Sequence, residues 1–156
     1  MNNKKIIIPA LTCFLTVCLL STPLFSQKKT DTSKLIYVPV YSSIYHGNQD
    51  RVINLAVTLS IRNVDMRNPV TIHSINYYNS NGSLIRAYLN TARVLKPLET
   101  MNIIIKESDT QGGNTSCFIV GWGGEKNVSE LLVEAVMIGT YPQGISFTSR
   151  GINIKK

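Results

Sequence analysis

Between residues 52 and 62 the chain alternates without error, with Ile53, Leu55, Val57, Leu59 and Ile61 on one parity and Asn54, Ala56, Thr58, Ser60 and Arg62 on the other. Successive side chains of a strand point to opposite faces, so this run predicts one strand with a core face and a solvated face. In Val70–Tyr78 the apolar parity changes, from Val70 and Ile72 to Ile75 and Tyr77, which predicts a bulge near His73 or Ser74. The Asn81-Gly82 pair that follows favours a type I′ hairpin, with residues 84–89 returning. Residues 35–41, LIYVPVY, read as an edge strand because Pro39 has no N–H for a ladder, and 42–51 read as a loop with Gly47 at its tip.

The second half continues in the same style. A Pro-centred turn at 95–100 feeds a strand at 101–106, whose Ile103, Ile104 and Ile105 predict burial on both faces. A polar loop at 107–115, a strand at 116–122 and a loop at 123–130 follow. Residues 131–138 are apolar on both parities except for Glu134, the pattern of a central strand covered on two sides. An unpaired buried carboxylate is costly, so Glu134 is expected to be buried and satisfied by Arg150, Arg86 or backbone amides. Pro142 and Gly144 mark a turn, residues 145–149 alternate as a half-buried strand, and Arg150 sits just past it. No helix longer than a turn is signalled. Short strands separated by frequent turns predict an all-β chain, a single immunoglobulin-like antiparallel β-sandwich of about eight strands.

Composition changes this picture mainly at the N-terminus. The chain has 156 residues, 44% hydrophobic and 16% charged, which suits one globular domain. Lys4 and Lys5 precede an apolar run from Ile6 to Leu20, and residues 21–27 resemble a cleavage region, so residues 1–26 read as a signal peptide. Residues 27–34 read as a flexible linker and 35–156 as the sandwich domain. A periplasmic or secreted soluble form is expected. The alternative is a lipid anchor at Cys18: Leu15 suits a lipobox, whereas Val17 stands where a small residue is wanted. The run is short for a membrane span, and none is expected in the mature form. Cleavage after Ser26 removes two lysines and lowers the net charge from +7 to +5. The remaining cations are scattered, which argues against nucleic acid as a partner. Only Cys117 survives cleavage, so no intramolecular disulfide forms and the core must hold the fold.

Candidate chemistry is sparse. The polar groups that could converge on a binding site are Tyr45 and His46, then Ser108, Asp109 and Thr110, then Glu134, and finally Ser149 with Arg150. His46 and Asp109 at one end of a sandwich would make an acid/base or ligand pair; the plainer reading has Asp109 and Thr110 capping a turn. Asp109-Thr110 lacks the spacing and second copy of an aspartic protease, and no serine has a nucleophile-elbow context. His46 and His73 do not supply metal-ligand spacing, and calcium at Asp65 or Asp109 has no supporting pattern. Cys117 reads as a packed strand residue and Trp122 as a core or rim aromatic. Asn81, Asn114 and Asn127 begin N-x-[ST] triplets, which implies surface placement. No catalytic residue, cofactor or metal is assigned.

The order of an alternating strand ending in Arg62-Asn63-Val64-Asp65, an Asn-Gly hairpin and LKPLET at 95–100 resembles the layout of immunoglobulin-like or fibronectin-like envelope domains. A closer likeness spans nearly all of the mature chain. YVPVYSSIYHG at 37–47, LSIRNVD at 59–65, ESDTQGG at 107–113, and VEAVMIGT with QGISFTSRG resemble the bacterial family catalogued as domain of unknown function 3124. That resemblance implies export and a compact domain, and brings no activity with it. The expectation is an exported, non-enzymatic binding or interaction module of the cell envelope, partnered by a protein, peptide or glycan. The alternative is an envelope hydrolase using His46, Asp109 and Glu134.

Overall fold

A computed structural model describes residues 33–48, 51–140 and 144–155, so the predicted signal peptide lies outside the described residues. Twelve strands are formed among the described residues, more than the eight expected: β1 (Lys34–Val40), β2 (Ser43–His46), β3 (Arg51–Asn54), β4 (Ala56–Arg62), β5 (Val70–Tyr78), β6 (Leu84–Ala87), β7 (Arg93–Leu95), β8 (Thr100–Ile105), β9 (Ser116–Gly124), β10 (Leu132–Gly139), β11 (Ile145–Arg150) and β12 (Ile152–Ile154). The larger sheet runs β12-β1-β9-β5-β6, with β7 also on β5. The smaller runs β11-β10-β4-β8, and β2 with β3 forms a separate two-stranded ribbon. All pairings are antiparallel. The inner faces share one core, which includes Ile36, Val38, Leu59, Ile61, Ile75, Tyr77, Phe118, Val120, Trp122 and Met137. No described helix is long and apolar enough to cross a membrane.

Period-two patterning decided most of this. Leu55, Val57, Leu59 and Ile61 are all fully buried, although the run divides at Leu55 into β3 and β4, and within the predicted loop Ser43–His46 forms strand β2, paired with β3. The parity change in β5 is a bulge: Ile72 faces Trp122 while Ser74 faces Gly121, leaving His73 as the extra residue. The turn at 79–82 differs from the predicted type I′. Gly82 N–H donates to the Asn79 carbonyl at 2.9 Å and Gly82 has φ +75°, while Asn81 stays out of the left-handed region. That is a type I turn closed by a left-handed glycine.

Two burial expectations are corrected by the one-sided cover of the smaller sheet, and one edge assignment by strand pairing. β8 is an edge strand, and Ile104 is 66% exposed between buried Ile103 and Ile105. β10 is central in its sheet, but only Val133, Ala135, Met137 and Gly139 face the core. Leu132, Glu134, Val136 and Ile138 line an outer face that no described segment covers. β1 is flanked on both sides over Leu35, Ile36 and Tyr37, so it is not wholly an edge; Pro39 falls where β12 has ended.

One side of the sandwich is closed by the chain itself. β11 pairs with β10 in the smaller sheet, β12 pairs with β1 in the larger, and Gly151 between them donates its N–H to the Val133 carbonyl at 2.9 Å. A Cβ there would lie 2.5 Å from Ile36 Cγ2 and 3.1 Å from Val38 Cγ2, so only glycine lets the crossing strand touch the core of β1. Gly151→Ala should therefore destabilise the protein by about 1–3 kcal/mol, the usual cost of overpacking, and denaturant unfolding measures it. An unchanged midpoint would mean that the crossover has slack.

Candidate functional site

In a sandwich the loops gather at the two ends, and here each end is organised by short polar side chains. At the first end, Asn63 follows β4 and is almost fully buried. Its Nδ2 donates to the carbonyls of Asn68 at 2.9 Å, Lys96 at 3.0 Å and Leu95 at 3.3 Å, while its Oδ1 accepts the Asp65 N–H at 3.0 Å. Asp65 Oδ1 accepts the N–H groups of Arg67 and Asn68, each at 2.8 Å, and Oδ2 accepts that of Ser129 at 2.9 Å. These amide donors, Ser129 first, hold the Asp65 carboxyl well below the usual carboxylate range. Both oxygens are thus engaged by backbone, so Asp65 ties its own loop to that of Ser129, and with Asn63 it forms a clasp joining three loops. Trp122 is fully buried beside this end, with the Lys34 ammonium 4.9 Å from its ring centroid and Lys34 paired to Glu130.

At the second end, the loop at 106–115 is tied to the hairpin turn at 79–82 and to the start of β2. Ser80 donates through both N and Oγ to the Gly112 carbonyl at 3.2 Å, Thr115 N–H donates to Ser80 Oγ at 3.2 Å, and Ser42 Oγ donates to the Gly113 carbonyl at 2.6 Å. Beneath them Tyr77 Oη donates to Ser116 Oγ at 3.2 Å, and Ser116 Oγ donates to the Val40 carbonyl at 3.1 Å. Burial pushes the Tyr77 hydroxyl pKa up, so it stays a neutral donor. A Cβ at Gly112 would fall 1.8 Å from Tyr77 Oη, so the loop can lie on this hydroxyl only as glycine. Between residues 79–81 and 110–113 an open cleft of about 170 Å³ remains.

Asp109 stands beside that cleft. Its Oδ1 accepts the Gln111 N–H at 3.3 Å, as a turn-capping aspartate does, and its Oδ2 pairs with Arg86 Nη2 at 3.3 Å. Arg86 also donates to Tyr88 Oη at 3.2 Å and lies 5.6 Å from that ring's centroid. Tyr88 in turn rests against Phe118 in the core. Sequence reasoning assigned neither Arg86 nor Tyr88 to this group; the hairpin register that carries them to Asp109 gave no sign in composition.

The structure brings the predicted residues together only in part. Ser108, Asp109 and Thr110 share one end with Tyr45 and His46, since Ser42 at the foot of β2 touches Gly113. No hydrogen bond joins His46 to Asp109 among the described residues. Glu134 lies elsewhere. Thr140 Oγ1 meets Glu107 Oε2 at 3.4 Å at the second end, and Glu134 is six residues up β10 from Thr140, about 20 Å along a strand. His46, Asp109 and Glu134 therefore do not share a pocket. Glu134 is directly opposite Arg150 in the ladder, yet among the described residues it makes no ion pair or side-chain hydrogen bond with Arg150, Arg86 or an amide. It is half-buried on the outer face, and the expectation of a buried, satisfied Glu134 is corrected by the one-sided cover of β10. Ser149 faces the other way and donates to the Pro39 carbonyl.

Cys117 is half-buried on the outer face of the larger sheet, and burial raises its thiol pKa. No group of three or more His, Cys, Asp or Glu side chains suited to a metal occurs among the described residues.

Fold and loops together define an all-β sandwich with a polar cleft at one end and a polar clasp at the other. The chain belongs to the family described as "Protein of unknown function (DUF3124)", whose model matches residues 33–154. No curated protein matches it. A solved structure described as "Crystal Structure of Thermotoga maritima 1070" is 10% identical, with a TM-score of 0.43, covering 76% of this chain and 92% of that one; a likeness this distant carries no argument.

The clasp makes a signed prediction about pH. A carboxyl whose folded pKa is depressed contributes stability that is complete above its unfolded pKa, near 4, and is lost as pH falls below that value. Wild type should lose stability between about pH 5 and strongly acid conditions more steeply than Asp65→Asn, whose melting temperature should already be lower at pH 7. Asn63→Ala should cost about 2–3 kcal/mol at every pH, because buried carbonyls lose their donor. Parallel pH profiles for wild type and Asp65→Asn would contradict the assignment.

Proposed function

We infer that this protein is an exported, non-enzymatic binding module of the cell envelope that takes a peptide or glycan at the cleft between residues 79–81 and 110–113. One observation carries the reading. The cleft is lined by neutral amides, hydroxyls and glycine backbone, and its two loops are cross-tied over a rigid aromatic floor. Such groups recognise hydroxyl-rich or amide-rich ligands at little ordering cost, because the loops are already fixed. The Arg86–Asp109 pair with Tyr88 adds a planar polar group and an aromatic at the rim. The volume suits one sugar ring or one side chain of a longer ligand. Export is supported by the basic, then apolar N-terminal run alone, and the acid/base trio of the hydrolase alternative has no shared pocket to support it.

Peptidoglycan sacculi present both ligand classes and make a direct probe. The exported chain, with an intact mass beginning at Gln27, should cosediment with purified sacculi. Asn81→Ala and Gln111→Ala should each weaken binding about fivefold, the worth of one hydrogen bond, while Glu134→Ala should not change it. No cosedimentation, or release of soluble fragments from the sacculi, would overturn the reading.

A further inference from the structure

Among the described residues, the rows on the outer face of the larger sheet carry no Lys, Arg, Asp or Glu. Inward parity is fixed by buried Ile36, Val38, Phe118, Val120, Ile75 and Tyr77, so the alternate residues of the same strands point outward. Register sets them in rows: Ile154, Leu35, Gly121 and Ser74; then Ile152, Tyr37, Ile119, Asn76 and Ala87; then Pro39, Cys117, Tyr78 and Leu84. Not one is Lys, Arg, Asp or Glu. Ile152 is 61% and Leu84 54% exposed, and Tyr37, Ile119 and Tyr78 are half-buried. The outer face of the smaller sheet differs, since Arg62, Glu134 and Arg150 interrupt its apolar positions.

We propose that this face is a self-association surface, on which a second copy of the chain docks through the same face about a two-fold axis. Charge decides the occupant. Interface cores are depleted of charge because an unpaired buried ion is strongly unfavourable, so an uncharged face is best matched by another uncharged face. The chain is net positive, and docking through this face brings no like charges together. A two-fold contact also needs self-complementary groups. Asn76, in the middle row, has a side-chain amide that makes no hydrogen bond among the described residues, and an amide carries both donor and acceptor for its symmetry mate. Five strands at about 4.8 Å spacing give a footprint about 20 Å wide, at the small end for protein contacts, so the dimer is a reversible one. This surface is separate from the loop cleft and does not depend on it.

Sedimentation equilibrium of the exported chain, from micromolar to hundreds of micromolar, should show a monomer–dimer equilibrium, with Cys117 alkylation slowing as dimer forms. Leu84→Lys and Ile152→Lys, both at exposed positions that leave the core intact, should raise the dissociation constant about tenfold or more, as should Ile119→Lys. Ile104→Lys, on the other sheet, should leave the dimer unchanged. A monomer at every concentration overturns the proposal, as does a dimer indifferent to Leu84→Lys and Ile152→Lys in variants that melt like wild type. A monomer that instead pellets with phosphatidylglycerol vesicles would give the face to a lipid surface and equally overturn it.

Discussion

Asn63 and Asp65 solve the problem that every sandwich meets at its ends, where strands stop and loop backbone loses its ladder partners. Their side chains supply an acceptor or donor to backbone groups of residues 65, 67, 68, 95, 96 and 129, which belong to three loops far apart in sequence. A buried backbone amide left without a partner costs on the order of 1–3 kcal/mol, so two small side chains here govern more than their area suggests. The opposite end uses the same device with hydroxyls, through Ser42, Ser80, Ser116 and Tyr77. With both ends tied, the loops of the second end become a fixed surface on which the cleft between residues 79–81 and 110–113 is held open.

Period two was legible wherever one face of a strand is dry. The β4 run, the bulge at His73 and the Asn-Gly hairpin position could be read because a wrong face would bury a polar group. Isoleucine runs misled for a physical reason: Ile104 and Ile138 are apolar yet stand on a solvent-facing side, and hydrophobic residues outside a core carry no penalty large enough to forbid them. Glu134 was misjudged with them, since its isolation among apolar neighbours only implied burial if both faces were covered. The site was less legible than the fold. Asp109 as a turn cap follows from local chemistry, but its partners Arg86 and Tyr88 arrive through strand register some twenty residues away, which no local pattern encodes.

The stretches that carry the family resemblance have structural duties that can now be named. LSIRNVD contributes Asn63 and Asp65 to the clasp, ESDTQGG contributes Asp109 and the glycine that lies on Tyr77, YVPVYSSIYHG contributes Ser42 and, on the outer face, Tyr37 and Pro39, and QGISFTSRG ends in the crossover Gly151. Their residues build two fixed loop ends and a closed side. On that frame stand the polar cleft, of a size for a small polar group, and the sheet face whose rows carry no Lys, Arg, Asp or Glu.

The clasp acts as part of the cooperative core rather than as surface decoration. Native-state hydrogen exchange of the Ser129 amide tests this most directly, because Ser129 lies outside every strand and is held only by Asp65 Oδ2. This amide should exchange with the free energy of global unfolding, together with core amides of β4 and β10. Exchange at the rate of an open loop, while the sheets stay protected, would contradict it.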